Sequence, residues 1–209
     1  MAYCDLWMYL NNELTQYPSW LRPAPVGSRL EHENGDQAQV MQKIERLNWL
    51  HQIGNALAHM HSHGIVHCDL KPGNCLLFND GRNGSLVKLS DFGHSMTDGY
   101  GHIGTYEYLH PRFFHEIEKQ AEGRLYFHKS ACSNVEDDNY ALTVLGQEIL
   151  TGRNEFAGKR LSEIVCAKKA IDLQKLHVKS LPEMLFLGEN QIASYSALTD
   201  LYSASYGWL

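Results

Sequence analysis

Residues 63–93 constrain this chain more than any other stretch, because they set two acidic residues of possible chemical use, Asp69 and Asp91, together with Asn74 among three short apolar runs. Ile65-Val66 runs into His67-Cys68-Asp69, Cys75-Leu76-Leu77-Phe78 follows Asn74, and Leu86-Val87-Lys88-Leu89 leads into Ser90-Asp91-Phe92-Gly93. Between the last two runs lies Asn79-Asp80-Gly81-Arg82-Asn83-Gly84, rich in residues that accept positive φ, so two paired strands joined by a turn are predicted. Such a hairpin brings Asn74 and Asp91 together at one end of its strands. Two side-chain oxygens meeting there suit a hard cation such as magnesium.

The order His67-Cys68-Asp69-Leu70-Lys71-Pro72-Gly73-Asn74, then Asp91-Phe92-Gly93, resembles the catalytic loop and metal-binding triplet of eukaryotic-type protein kinases of the serine/threonine kind. The family pattern is H-R-D-L-x-x-x-N followed by D-F-G, and Cys68 is the one departure. The resemblance implies Asp69 as the base that accepts the substrate hydroxyl proton, with Asn74 and Asp91 holding magnesium over the phosphates of ATP. Lys71 is implied to neutralise the transferred phosphoryl group, touching both nucleotide and catalytic base. Gly104-Thr105, Tyr108 and Pro111 resemble the G-T-x-x-Y-x-x-P stretch that closes an activation segment, here residues 91–111. Thr105 is then expected to bridge Asp69 and Lys71, and the protein substrate to offer a serine or threonine. His67 is expected to pack beneath Phe92.

The fold so implied is mainly α with some β (α+β): a kinase-like C-terminal lobe, a helical bundle in which short β-hairpins carry the catalytic loop at residues 67–74. Residues 1–14 read as a strand end entering a short helix. Residues 1–6 correspond to the hinge, where Tyr3 and Leu76 line the adenine pocket and Met1 stands at the gate behind it. Residues 15–37, with Pro18, Pro23, Pro25, Gly27 and Gly35, read as a loop. From Gln39 to Met60 the apolar Val40, Ile44, Leu47, Leu50, Ile53 and Leu57 recur at threes and fours, which predicts an amphipathic helix. Residues 138–152 resemble the buried helix written D-x-W-S-x-G and onward to E-L-L-T-G, with Thr143 where glycine is usual. Asp138 is expected to cap that helix and to hold the backbone of the 67–69 turn; the bland reading of Glu136-Asp137-Asp138 is a solvated acidic run. Leu161, Ile164, Val165, Ala167 and Ile171 suggest a further helix, Leu181 to Leu187 another apolar element, and residues 157–209 match the family weakly.

Three departures carry expectations of their own. The arginine usual at position 68 pairs with a phosphate on the activation segment, and a neutral thiol cannot, so activity is expected not to wait on phosphorylation there; the plainer reading of Cys68 is a small buried apolar residue. Arg112 replaces the glutamate usual after Pro111, and Arg153 and Arg160 lie too early to be that glutamate's partner. A lone member of a buried pair costs about 3–5 kcal/mol, so loss of both is tolerable but leaves the segment less firmly anchored. His59, His61, His63 and His67 tempt a metal reading, but a spacing of two puts neighbouring rings on different faces of a helix end.

Composition bounds the rest. A net charge of −6 argues against a nucleic-acid or membrane-surface footprint, and no apolar run reaches the length of a membrane span. Five cysteines without C-x-x-C spacing fit a reducing, cytoplasmic compartment better than a disulfide framework. The glycine-rich strand, the V-A-I-K-like lysine strand and the partner helix that the family carries ahead of the hinge have no match in the sequence. The chain therefore reads as a partial kinase domain over residues 1–209, needing ATP, magnesium and an N-terminal lobe for more than slight turnover. The alternative is a binding module or decoy that docks on a partner kinase through Leu76, Phe92 and the hinge. A metal-dependent phosphohydrolase shares the acidic residues but lacks a nucleophile motif.

Overall fold

The computed structural model describes residues 2–21, 37–82, 84–95, 104–115, 118–119, 125–126 and 134–173. The expectations for Met1, for the prolines and glycines of residues 22–36 and for residues 181–187 fall outside these.

The chain opens with strand β1 (Cys4–Asp5) and helix α1 (Leu6–Leu10), and Asp5 makes the junction by accepting the Met8 amide on its side chain at 2.9 Å. The long helix α2 (Gln37–Ser62) follows, then β2 (Cys75–Asn79) and β3 (Ser85–Leu89). These two strands form the predicted antiparallel hairpin, Cys75 opposite Leu89 and Asn79 opposite Ser85. At its tip Asp80 accepts the amides of Arg82 and Gly84 at 2.6 and 2.8 Å, the usual habit of an aspartate in a tight turn. β1 pairs with the other edge of β2, giving the sheet order β1-β2-β3.

Edge strand β3 is closed off by α2. Gln52 accepts the Val87 amide at 2.6 Å and donates to the Ser85 carbonyl at 3.2 Å, and the Trp49 indole donates to the Ser85 hydroxyl at 2.6 Å. The side of α2 that carries Trp49, Ile53 and Leu57 joins the main core, against Leu142, Leu145 and Ile149 of helix α4 (Val135–Thr151). Arg46 ties the two helices further, donating to the Ile149 carbonyl at 2.9 Å. A second, smaller core of Leu109, Phe113, Phe114, Phe156 and Ile164 joins the short helix α3 (Arg112–His115) to α5 (Leu161–Ala170). Between α3 and α4, β4 (Glu118–Lys119) pairs with β5 (Leu125–Tyr126).

Two expectations need correction. Asp138 does not cap α4. The helix starts at Val135, capped by Asn134, whose side chain accepts the amides of Glu136 and Asp137 while Asp137 accepts the Asn134 amide at 2.8 Å. Asp137 and Asp138 are buried, so residues 136–138 are no solvated run. Nor is the chain left less firmly anchored at Arg112, just past the 91–111 stretch. Arg112 forks onto the Asp137 carboxylate, with its Nε donating at 2.8 Å, so the position that lost a glutamate carries an ion pair of the opposite polarity to a different helix. No helix among the described residues is long and apolar enough to cross a membrane.

Candidate active site

The site begins with a clamped turn. Asp138, in the first turn of α4, accepts the amides of His67 and Cys68 at 2.8 and 3.0 Å and is met by His61 Nε2 at 2.8 Å. The grip holds Cys68 at a φ of +67°, a left-handed conformation that non-glycine residues adopt rarely. The His67 ring meets the Ser90 carbonyl at 3.2 Å and lies 5.5 Å from the Phe92 ring. His61, His63 and His67 thus have separate partners, His63 contacting the His59 carbonyl at 2.8 Å. Among the described residues no group of three histidine, cysteine or acidic side chains is arranged for a metal.

From this turn Asp69 projects into a dense set of donors. Its Oδ2 accepts from Lys71 Nζ at 2.7 Å and from Asn74 Nδ2 at 3.1 Å, while Oδ1 accepts the Thr105 amide at 2.9 Å and the Thr105 hydroxyl at 2.8 Å. Lys71 Nζ also donates to Thr105 Oγ1 at 2.9 Å, closing a three-way contact between residues that lie up to 36 apart in sequence. Gly104 permits the approach: a Cβ there would stand 2.9 Å from Asp69 Oδ1, with the Cys68 carbonyl nearer still. Burial by itself would raise the Asp69 pKa, but the hydrogen bonds from Lys71 and Thr105 outweigh it and hold the carboxyl below the usual carboxylate range. The result is a buried, ionised oxygen acceptor beside an ammonium group, suited to taking a proton and offsetting charge.

Asn74 and Asp91 sit at the two strand ends that the hairpin brings together. The Asn74 carbonyl accepts from Ser90, amide at 2.9 Å and hydroxyl at 3.2 Å, which fixes Asp91 one residue beyond. The Asn74 amide nitrogen is engaged by the Asp69 carbonyl at 2.8 Å, so its oxygen is the atom left to serve as a ligand. Asp91 is exposed and left-handed, with a φ of 59°, and caps a single 3₁₀ turn through the Gly93 amide. One amide and one carboxylate oxygen are the hard donors magnesium takes.

Tyr3 lies on the opposite edge of β2, its amide bonded to the Leu77 carbonyl at 2.9 Å, its ring edge-on to Trp20 and its phenol donating to the Gln16 carbonyl. Leu76 is half-buried in β2, opposite Asp5. On another side of Asp69 and Lys71 a groove of about 370 Å³ opens between Trp7, Lys71, Thr105, Glu107, Tyr108 and Glu148. Glu148, the glutamate at the head of the E-L-L-T-G match, has no role in the sequence reading. Burial raises its pKa, and it accepts the Tyr108 hydroxyl at 2.5 Å and the Asn154 amide at 3.2 Å. Also missed were Asp137, the partner of Arg112, and Lys168, fully buried in α5. The Asn134-x-x-Asp137 spacing and a lysine four residues after Ile164 were the available signals.

A protein kinase domain model matches residues 23–200. The serine/threonine-protein kinase PrkC of Bacillus subtilis is 36% identical over 122 residues, 55% of this chain and 16% of that protein. Aurora kinase of Saccharomyces cerevisiae is 36% identical over 115 residues, covering 52% of this chain and 26% of the relative. The matched region thus spans about a sixth of the first relative's length and about a quarter of the second's. A chain in the crystal structure of the yeast RNA Pol II CTD kinase CTDK-1 complex superposes with a TM-score of 0.51 at 20% identity, over 82% of this chain and 45% of that one, which speaks to the fold alone. The family model takes in most of the sequence and spans the clamped turn, the hairpin and the segment from Thr105 to Pro111; the chain belongs to the protein kinase domain family.

Proposed function

We propose that these residues form the phosphotransfer face of a serine/threonine protein kinase, which moves the terminal phosphoryl group of ATP to a protein hydroxyl. The observation that carries this reading is the three-way contact of Asp69, Lys71 and Thr105. Asp69 accepts the proton of the attacking hydroxyl, and Lys71 lies within reach to neutralise charge on the phosphoryl oxygens. Magnesium held by Asn74 and Asp91 would offset the charge of the phosphates. Tyr3, just ahead of β1, and Leu76, on β2, are assigned to the adenine ring. Cys68 brings no cation to the turn, so transfer is expected to need no phosphate on residues 91–111.

Magnesium-dependent ATP binding and transfer to a serine/threonine peptide test the reading, with Asp91→Asn as control. Transfer that this substitution abolishes supports it; an intact chain that binds no nucleotide with magnesium present sinks it. A second reading, docking on a partner kinase, rests on the exposed rings of Tyr3, Trp7 and Phe92, the last 52% exposed. Nucleotide binding without transfer would favour that one.

A further inference from the structure

Lys168 sits on the apolar side of α5 and is 0% exposed. Its ammonium donates to the carbonyls of Glu107 at 3.0 Å and Leu109 at 2.9 Å and to the Tyr140 hydroxyl at 2.8 Å. The rings of Phe156 and Tyr140 lie 4.2 and 4.5 Å from it, in cation–π range. No carboxylate among the described residues is in ion-pairing contact with it. A buried ammonium without a counter-ion is costly, and here its three donors are matched by three oxygens. Burial holds its pKa well below that of an ordinary lysine.

The two carbonyls it grips flank Tyr108. That residue's hydroxyl is fixed on Glu148, and together with Glu107 and Thr105 it forms one wall of the groove beside Asp69. We infer that Lys168 is a positioning residue: from behind the wall it sets the backbone of residues 107–109, and so the shape of the groove that receives the substrate chain on either side of its acceptor hydroxyl. This rests on the kinase reading for the identity of what enters the groove, but the grip on the segment does not. Apolar packing alone would favour leucine or methionine in so dry a place, whereas lysine is the residue that can hold two carbonyls and a phenol at once.

Lys168→Met keeps the stem and its volume and removes the donors; Ile164→Ala disturbs the same helix without touching the cradle. The probes are a degenerate serine/threonine peptide mixture, the best acceptor from it, and amide hydrogen exchange over residues 104–109. Lys168→Met is expected to raise peptide KM at least fivefold, to leave kcat within about twofold and ATP affinity unchanged, and to speed exchange at 105–109. Ile164→Ala is expected to lower Tm with neither local effect. If Lys168→Met behaves as Ile164→Ala does, the inference is overturned. Should the unaltered chain phosphorylate no peptide, the kinase reading fails by itself, and exchange at 105–109 still decides: faster exchange in Lys168→Met upholds the anchor and unchanged exchange refutes it. If Lys168→Met does not fold, Tyr140→Phe, which removes one acceptor and keeps the ring, is held to the same criteria with a smaller expected change.

Discussion

The turn around Asp69 and the wall from Glu107 to Arg112 lie on either side of Thr105 and are built by opposite rules. At the turn, the buried Asp69 carboxylate is shared among several side chains whose order in sequence is the family's own. At the wall, charge serves anchorage, Arg112 on Asp137 and Lys168 on main-chain carbonyls, and those residues follow no part of the family pattern quoted above. The contrast teaches that, under the proposed function, the turn leaves few substitutions open because each of its groups would have to face a particular atom of the substrate. A scaffold contact has only to be satisfied, and a pair of reversed polarity or a single lysine serves as well.

The sharpest way to break this comparison is at the turn. Asp69→Asn is expected to cut phosphoryl transfer about 10³-fold, equivalent to about 4 kcal/mol, while ATP affinity is retained, as read by single-turnover transfer and nucleotide titration. A variant that instead loses its fold would move Asp69 into the scaffold class. Next in size is His110. Burial pulls its pKa down to about 4, and its ring is edge-on to Tyr140 with Nδ1 accepting the Arg112 amide at 3.1 Å. The unfolded chain takes this proton near pH 6.5 and the folded one only near 4, so stability is full above 6.5 and falls by roughly 3 kcal/mol as pH drops through that window. Denaturant melts at several pH values should show a flatter acid limb for His110→Gln. Asp69, depressed from a carboxylate's lower starting point, releases its contribution only at more acid pH, so the two regions separate along one titration. The smallest effect is the Arg112–Asp137 pair, a quarter exposed on the arginine side. A double-mutant cycle with Arg112→Met and Asp137→Asn should return a coupling of about 1–2 kcal/mol in stability and no change in nucleotide affinity.

What could be read from the letters follows the same division. The hairpin was legible because turn formers bracket two apolar runs, and the long helix because its apolar residues recur at helical spacing; α2 begins two residues before Gln39 and ends two after Met60. Asp69, Lys71 and Thr105 could be named together only through the family pattern, since nothing local joins residue 105 to residue 69. The hold of Asp138 on the 67–68 amides was foreseen from that pattern as well, but its role as helix cap was not sustained, because Asn134 with Asp137 makes the better reciprocal box. Lys168 and the Arg112–Asp137 pair were hidden for a physical reason. A charged letter reads as surface, and only tertiary packing reveals that its charge has been matched inside.

The far tip of the β2–β3 hairpin offers a practical handle. Asp80, Gly81 and Arg82 are exposed, and Asp80 holds the Arg82 and Gly84 amides, whereas the opposite end of the same two strands carries Asn74 and Asp91. Five rungs of ladder insulate one end from the other, so a fluorophore, an affinity tag or a protease cleavage sequence spliced between Gly81 and Gly84 would report on the molecule from a distance, leaving the end that carries Asn74 and Asp91 undisturbed.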